Sequence, residues 1–147
     1  MSAVYLHFVF STLDRVPFLV DPSVRSQMHS YIAGISGRLN CPALLVGGVE
    51  DHVHALIRLG RTVSQADWVK ETKRVSSEWV KDRGPGLSRF AWQAGYGAFS
   101  VDASNIDDIR RYIEGQEAHH HKVTFKEEFL ELLESHGLEW DERYVWD

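Results

Sequence analysis

Apolar and polar positions follow two rhythms along the chain, one of period two and one near 3.6 residues. Val4–Phe10 is aromatic and β-branched and predicts a strand, after which Pro17 and Pro22 interrupt the chain before a helix predicted over about Pro22–Arg38. Pro42–Glu50 and His52–Leu59 are apolar runs meeting at Glu50-Asp51, the pattern of an antiparallel hairpin. Ser64 stands as an N-cap with Asp67 three residues on. Trp68, Val69, Thr72, Val75 and Trp79 then recur at helical spacing until Gly84-Pro85-Gly86 stops the segment. Ala91–Asp102 reads as a strand in which Gly95 and Gly97 signal a bulge or a close backbone approach. Ser104, paired with Asp107, opens a third helix with the narrow apolar stripe Ile106, Ile109 and Ile113. Thr124 with Glu127 caps a last helix bearing Phe129, Leu132 and Leu133, which Gly137 ends in the left-handed conformation.

The predicted order is β-α-β-β-α-β-α-α. That is the split βαβ, ferredoxin-like (RRM-like) arrangement, an α+β fold in which helices pack on an antiparallel sheet. Fold alone assigns no function. The chain has 147 residues, 44% of them hydrophobic and 25% charged, with no repeat, low-complexity tract or long linker, so one domain over 1–147 is expected. No run approaches the roughly 18 apolar residues of a membrane span, and Met1–Phe10 lacks the features of a signal peptide. The expected location is the cytoplasm. Cys41 is the only cysteine, which excludes an internal disulfide and any multi-cysteine metal site, and predicts a buried, inert thiol.

A net charge of −5 argues at first against a nucleic-acid partner. The charge is uneven, however. From about residue 125 a predicted acidic helix and tail carry eight acids against two bases, leaving Met1–Thr124 with 14 bases and 13 acids. Between Arg58 and Arg89 eight Lys or Arg face four Asp or Glu, enough for a local positive surface or simply a solvated helix face. Lys70, Lys73, Arg74, Ser77 and Lys81 follow i, i+3, i+4 spacing, with Arg58 and Arg61 near the start of the stripe. Such a stripe fits phosphate contacts and fits ordinary solvation equally well.

His52-Val53-His54 is the sharpest chemical feature. Residues two apart on a strand share a face, with Cα atoms roughly 6.5–7 Å apart, so the two imidazoles can share one metal ion; a lone His-x-His also occurs often by chance. Val53, Ala55, Ile57 and Leu59 take the opposite, core-facing side. On the third helix Tyr112 and Gln116 are neighbours at the edge of the buried face, from which a hydroxyl and an amide can reach a site on the sheet. An edge tyrosine with a wet hydroxyl explains the same spacing. His119-His120-His121 point about 100° apart on a helix, so all three cannot bind one ion; His119 and His120 lie near the Tyr112 side and suit structural or phosphate-facing roles.

Taken together, Asp51-His52-Val53-His54, the segment KRVSSEW from Lys73 to Trp79, the segment FAWQAGYGAFSV from Phe90 to Val101, and Tyr112-Ile113-x-x-Gln116-x-x-His119-His120 resemble the single-tyrosine HUH transposases. The chain is similar to the small insertion-sequence and REP-associated tyrosine transposases from Val4 to about His120. Its ending, with Glu142-Arg143-Tyr144 and Trp146, resembles that of one subgroup.

The resemblance implies a transposase that nicks and rejoins single-stranded DNA at hairpin-marked ends. It implies Tyr112 as nucleophile forming a 5′-phosphotyrosine, and His52, His54 and Gln116 as ligands of a divalent ion, Mg²⁺ or Mn²⁺. It also implies a homodimer. Phosphate contacts are then expected from Arg58, Arg61, Lys70, Lys73, Arg74, Lys81, His119 and His120. Trp92, Tyr96 and Phe99 are candidates for stacking on bases, at least two of them expected in the core instead. No P-loop glycine motif is present, so no nucleotide cofactor is expected. Ala55 after the histidine pair and the acidic tail depart from the family pattern. Competing readings are a domesticated REP-associated nickase, a noncatalytic ferredoxin-like nucleic-acid-binding module, and a hydrolase using metal-activated water.

Overall fold

In the computed structural model, which describes residues Met1–Asp147, the hydrophobic rhythm resolves into a four-stranded antiparallel sheet. Its strands are β1 (Tyr5–Ser11), β2 (Ala43–Gly48), β3 (His52–Arg58) and β4 (Gly97–Val101), in the order β2-β3-β1-β4. The helices are α1 (Pro22–Arg38), α2 (Gln65–Val80), α3 (Ile106–Glu114), α4 (Gln116–His120) and α5 (Phe125–Ser135). This is the expected α+β, ferredoxin-like topology. Strands β1 and β3 lie at the centre, as the two crossings through α1 and α2 require.

Local chemistry explains most of the element boundaries. Asp21 caps α1, accepting from the Ser23 amide with Pro22 in the first turn; Ser64 accepts from the Asp67 amide at the start of α2; and Thr124 and Glu127 close a reciprocal capping box on α5. Gly137, at φ 70°, follows the end of α5 as expected.

Helices α1 and α2 cover one face of the sheet. Phe8, Phe10, Val53, Ala55 and Ile57 pack there with Met28, Ile32, Trp68 and Val80 into the main core. On the other face Val9 and Phe99 meet Phe125, Phe129 and Leu133 of α5 in a smaller cluster, and α3 lies over β2. The central strands are therefore buried on both sides, and His52 and His54 are fully covered. Gly47 allows this closure on the α3 side. A Cβ there would stand 2.7 Å from Ile113 Cγ2 and 3.3 Å from the Ile113 carbonyl oxygen. Gly47→Val is accordingly expected to push α3 off β2 and to cost about 1–3 kcal/mol of stability; a urea midpoint equal to that of the unaltered chain would refute the close approach.

Two elements differ from their predicted extents. The strand expected over Ala91–Asp102 is confined to Gly97–Val101; before it, the carbonyls of Gln93, Ala94 and Gly95 go to the Lys73 ammonium at 2.8, 3.3 and 2.7 Å instead of to a strand ladder. Trp92 still bridges Thr12, and with Phe99 it is core; Tyr96 is half-buried against Phe8. The third helix starts at Ile106 after a short turn over Ala103–Asn105, with Asp102 rather than Ser104 receiving the capping hydrogen bond, and it breaks at Gly115. Glycine has low helix propensity, and its backbone, at φ −86° and ψ 11°, separates α3 from α4. The acidic C-terminal segment folds back on the body: the Gly95 amide donates to the Asp147 backbone oxygen at 2.9 Å, and Arg15 donates to the Trp146 carbonyl at 3.0 Å.

Candidate active site

The alternation of β3 sends His52 and His54 to the face covered by α3, α4 and α5, and the antiparallel register adds a third imidazole. His7 pairs with Leu56, one step diagonal from His54, and its Nε2 lies 2.8 Å from His54 Nδ1. His52 Nδ1 lies 2.6 Å from an Asp51 carboxylate oxygen. With their Nδ1 atoms engaged, both ring Nε2 atoms of the pair point to one place between the sheet and α5.

Glu128 occupies that place. Its Oε1 lies 3.2 Å from His52 Nε2, 3.1 Å from His54 Nε2 and 3.2 Å from His120 Nε2. Its Oε2 accepts from the Tyr112 hydroxyl, accepts from Gln116 Nε2 at 3.0 Å, and has His119 Nε2 3.5 Å away. Gln116 Oε1 is 3.1 Å from His52 Nε2. One carboxylate thus joins every residue of the predicted cluster, and His52, His54, His120 and Glu128 present ligand atoms all within 4.8 Å of one another.

Burial and charge set the proton affinities. Burial raises the Glu128 carboxyl, but the imidazoles of His120, His52 and His54 gathered around it outweigh this and hold the group well below the usual carboxylate range. Burial lowers His52, yet the hydrogen bonds and charges of Asp51 and Glu128 lift it from 6.5 to about 9. Burial dominates at His7 and His54, which stay below the usual imidazole value. Tyr112 is pushed above its ordinary value by burial first and by the Glu128 charge second, so its phenol is held protonated. A nucleophile in this state needs a partner that stabilises its conjugate base.

These shifts have a stability consequence in metal-free protein. His52 is raised in the folded state, so its contribution is complete below pH 6.5 and is lost as pH climbs through about 9. Thermal melts in chelator are expected to lose several degrees over that window, and Asp51→Asn to shrink the loss. An alkaline limb unchanged in Asp51→Asn would disprove the role given to Asp51.

Residues 1–116 match the sequence model of the family described as "Transposase IS200 like". The chain belongs to the IS200-like transposase family. It is a transposase, a DNA-processing enzyme. Its fold is similar to the crystal structure of a protein described as a transposase from Deinococcus radiodurans R1, with TM-score 0.64 and 22% identity over 79% of this chain and 92% of that one. It is also similar to a REP-associated tyrosine transposase bound to a REP hairpin, with TM-score 0.57 and 15% identity over 83% of this chain and 70% of that one. No curated protein matches the sequence.

Within the transposase the predicted residues separate into two groups. Tyr112, His52, His54, Gln116, His119 and His120 come together; His120, predicted to face phosphate, instead has its Nε2 3.2 Å from Glu128 Oε1. The basic residues lie elsewhere. Lys70, Lys73 and Arg74 are on α2 and Lys81 caps its end, across the sheet from the histidines. Lys73 is fastened to three carbonyls, with burial lowering its ammonium to about 8, and Arg74 is paired with Glu71 and Glu78, so neither offers the free cation the stripe predicts. Lys70, Lys81, Arg58 and Arg61 are exposed, the two arginines lining a groove with Asn40 and Gly60 at the far end of β3 from His52. No helix is long and apolar enough to cross a membrane.

Sequence reasoning missed His7 and Glu128. A signal for Glu128 exists: it stands three residues after Phe125 and one before Phe129, inside the apolar stripe of α5, where an uncompensated carboxylate is costly. His7 carries a weaker one, as an isolated imidazole in an apolar strand.

Proposed function

We propose that the transposase cuts and rejoins single-stranded DNA through Tyr112, beside a divalent ion, Mg²⁺ or Mn²⁺, held by His52, His54 and Gln116. The observation that carries this reading is that one chain brings the Tyr112 hydroxyl and the Nε2 atoms of both histidines to the same buried carboxylate. The residues fit an ion by the chemistry of the donor set. Bound there, it would neutralise a phosphate oxygen and the charge developing on the leaving oxygen.

The remaining work falls to the chain. His52 is oriented by Asp51 and His54 by His7, which fixes the pair before DNA arrives. Tyr112 Oη forms a bond to the scissile phosphorus while the bond from phosphorus to the 3′-oxygen breaks. The phenolic proton is lost as the bond to phosphorus forms, and in the net reaction a proton ends on the 3′-oxygen. The products are a 5′-phosphotyrosine and a free 3′-hydroxyl. One phosphodiester replaces another, so attack by a 3′-hydroxyl on the phosphotyrosine rejoins the strand without a nucleotide cofactor.

The REP hairpin bound by the structural neighbour supports hairpin DNA as the substrate class. Within this reading Arg58, Arg61 and His119 take backbone phosphates, residues 1–147 act as one transposase domain with its acidic α5 and tail, and the enzyme works in the cytoplasm. A homodimer is the assembly the family resemblance suggests; within one chain the Tyr112 ring lies 5.7 Å from that of His54. The test is labelled single-stranded hairpin DNA from the flanks of the coding sequence, incubated with Mn²⁺ or Mg²⁺ and resolved under denaturing conditions. A metal-dependent covalent band is expected. Binding without any adduct would favour the noncatalytic module.

A further inference from the structure

The structure points to two further ligands for the ion, and we infer that His120 Nε2 and Glu128 Oε1 bind it together with the histidine pair. This deepens the proposed function, on which it rests. The first observation is hydrogen placement. His120 Nδ1 lies 2.6 Å from the Val123 carbonyl oxygen, which only accepts, so Nδ1 carries the hydrogen and Nε2 of the neutral ring presents a lone pair. That lone pair is aimed at the anionic Glu128 Oε1 3.2 Å away. His120 Nε2 is buried and has no aligned hydrogen-bond partner. A cation shared between the His120 lone pair and Glu128 Oε1 removes the repulsion between them.

Spacing agrees with that assignment. Donors about 2.1 Å from a six-coordinate ion stand about 3 Å from their nearest neighbours, and Glu128 Oε1 is 3.1–3.2 Å from each of the three Nε2 atoms. Each imidazole is also held through its other nitrogen, His52 by Asp51, His54 by His7 and His120 by a backbone carbonyl, the outer-shell pattern of ligating histidines. Neither His120 nor Glu128 lies within the residues that match the family model, which ends at Gln116.

The division of labour at Glu128 follows. Oε1 serves the ion, while Oε2 holds Tyr112 and Gln116. A carboxylate bridging ion and nucleophile couples ion binding to the position of the tyrosine. The imidazole-rich set also favours Mn²⁺ over Mg²⁺, because Mg²⁺ keeps to oxygen ligands and water.

Calorimetric titration of the full chain with MnCl₂ and with MgCl₂ tests this without reference to cleavage. Mn²⁺ is expected to bind about tenfold or more tightly than Mg²⁺, and His120→Ala and Glu128→Gln each to weaken Mn²⁺ by about tenfold or more. Glu128→Gln keeps the side chain's size, and far-ultraviolet circular dichroism checks that each variant is folded. His52→Ala separates the two claims. If His52→Ala loses Mn²⁺ while the other two variants bind it as the unaltered chain does, the added ligands are disproved and the proposed function stands. If all three bind Mn²⁺ unchanged, the ion is not at the histidines and both fail. Equal affinity for the two ions would also overturn the imidazole-rich set.

Discussion

Tyr112→Phe is expected to abolish the covalent protein–DNA band and to lower strand cleavage by at least about 10⁴-fold, the scale on which enzymes lose activity when a nucleophile is removed. The substitution deletes one oxygen. The ring keeps its edge-on contacts to His7 and His54, at centroid distances of 6.1 and 5.7 Å, so the fold and the histidine cluster are expected to persist. Glu128 loses the hydrogen of the Tyr112 hydroxyl but retains Gln116 and the surrounding histidines. DNA and metal binding should therefore survive, leaving the loss specific to chemistry. The alternative mechanisms predict other outcomes. A hydrolase with metal-activated water cleaves without an adduct and is insensitive to this change, so cleavage by Tyr112→Phe at the original rate would end the tyrosine mechanism. Denaturing gels of a labelled hairpin distinguish the cases.

Trp68→Ala is the substitution expected to cost most in stability, about 3–5 kcal/mol. Trp68 is fully buried, stacks on Phe8 with centroids 4.3 Å apart, and donates its indole N–H to Ser36 Oγ at 2.9 Å. Alanine leaves a cavity between α2 and the sheet and deprives a buried serine of a partner. Against the ordinary 5–15 kcal/mol stability of a domain, this is a large fraction. Urea unfolding should show a lower midpoint at an unchanged slope, with a melting temperature down by roughly 10 °C. A loss under about 1 kcal/mol would show that the main core can close over the gap. Because Trp68 lies on the opposite face from the histidines, folded Trp68→Ala protein should retain its affinity for Mn²⁺.

The two substitutions probe different kinds of information in the chain. Caps, turns and periodicities act among residues within four positions of one another, which is why Pro22, Ser64, the Thr124–Glu127 box and Gly137 mark their elements correctly. The pairing of His52 with His54 on one face is likewise a property of strand geometry. The exact length of β4 is not local. Ahead of it, the carbonyls of Gln93, Ala94 and Gly95 go to the half-buried ammonium of Lys73, some twenty residues earlier.

The site shows the same division. Tyr112 and Gln116 are neighbours by helical spacing, but the carboxylate that joins them to the histidines comes from a separate helix, 74 positions from His54. His7 reaches His54 across 47 positions through strand register alone. His120, beyond the break at Gly115, reaches Glu128 of α5 at 3.2 Å. Short-range preferences placed the reactive residues on their elements. Which of them share a buried centre was settled by packing, since a desolvated carboxylate is stable only where the folded chain surrounds it with donors or a cation.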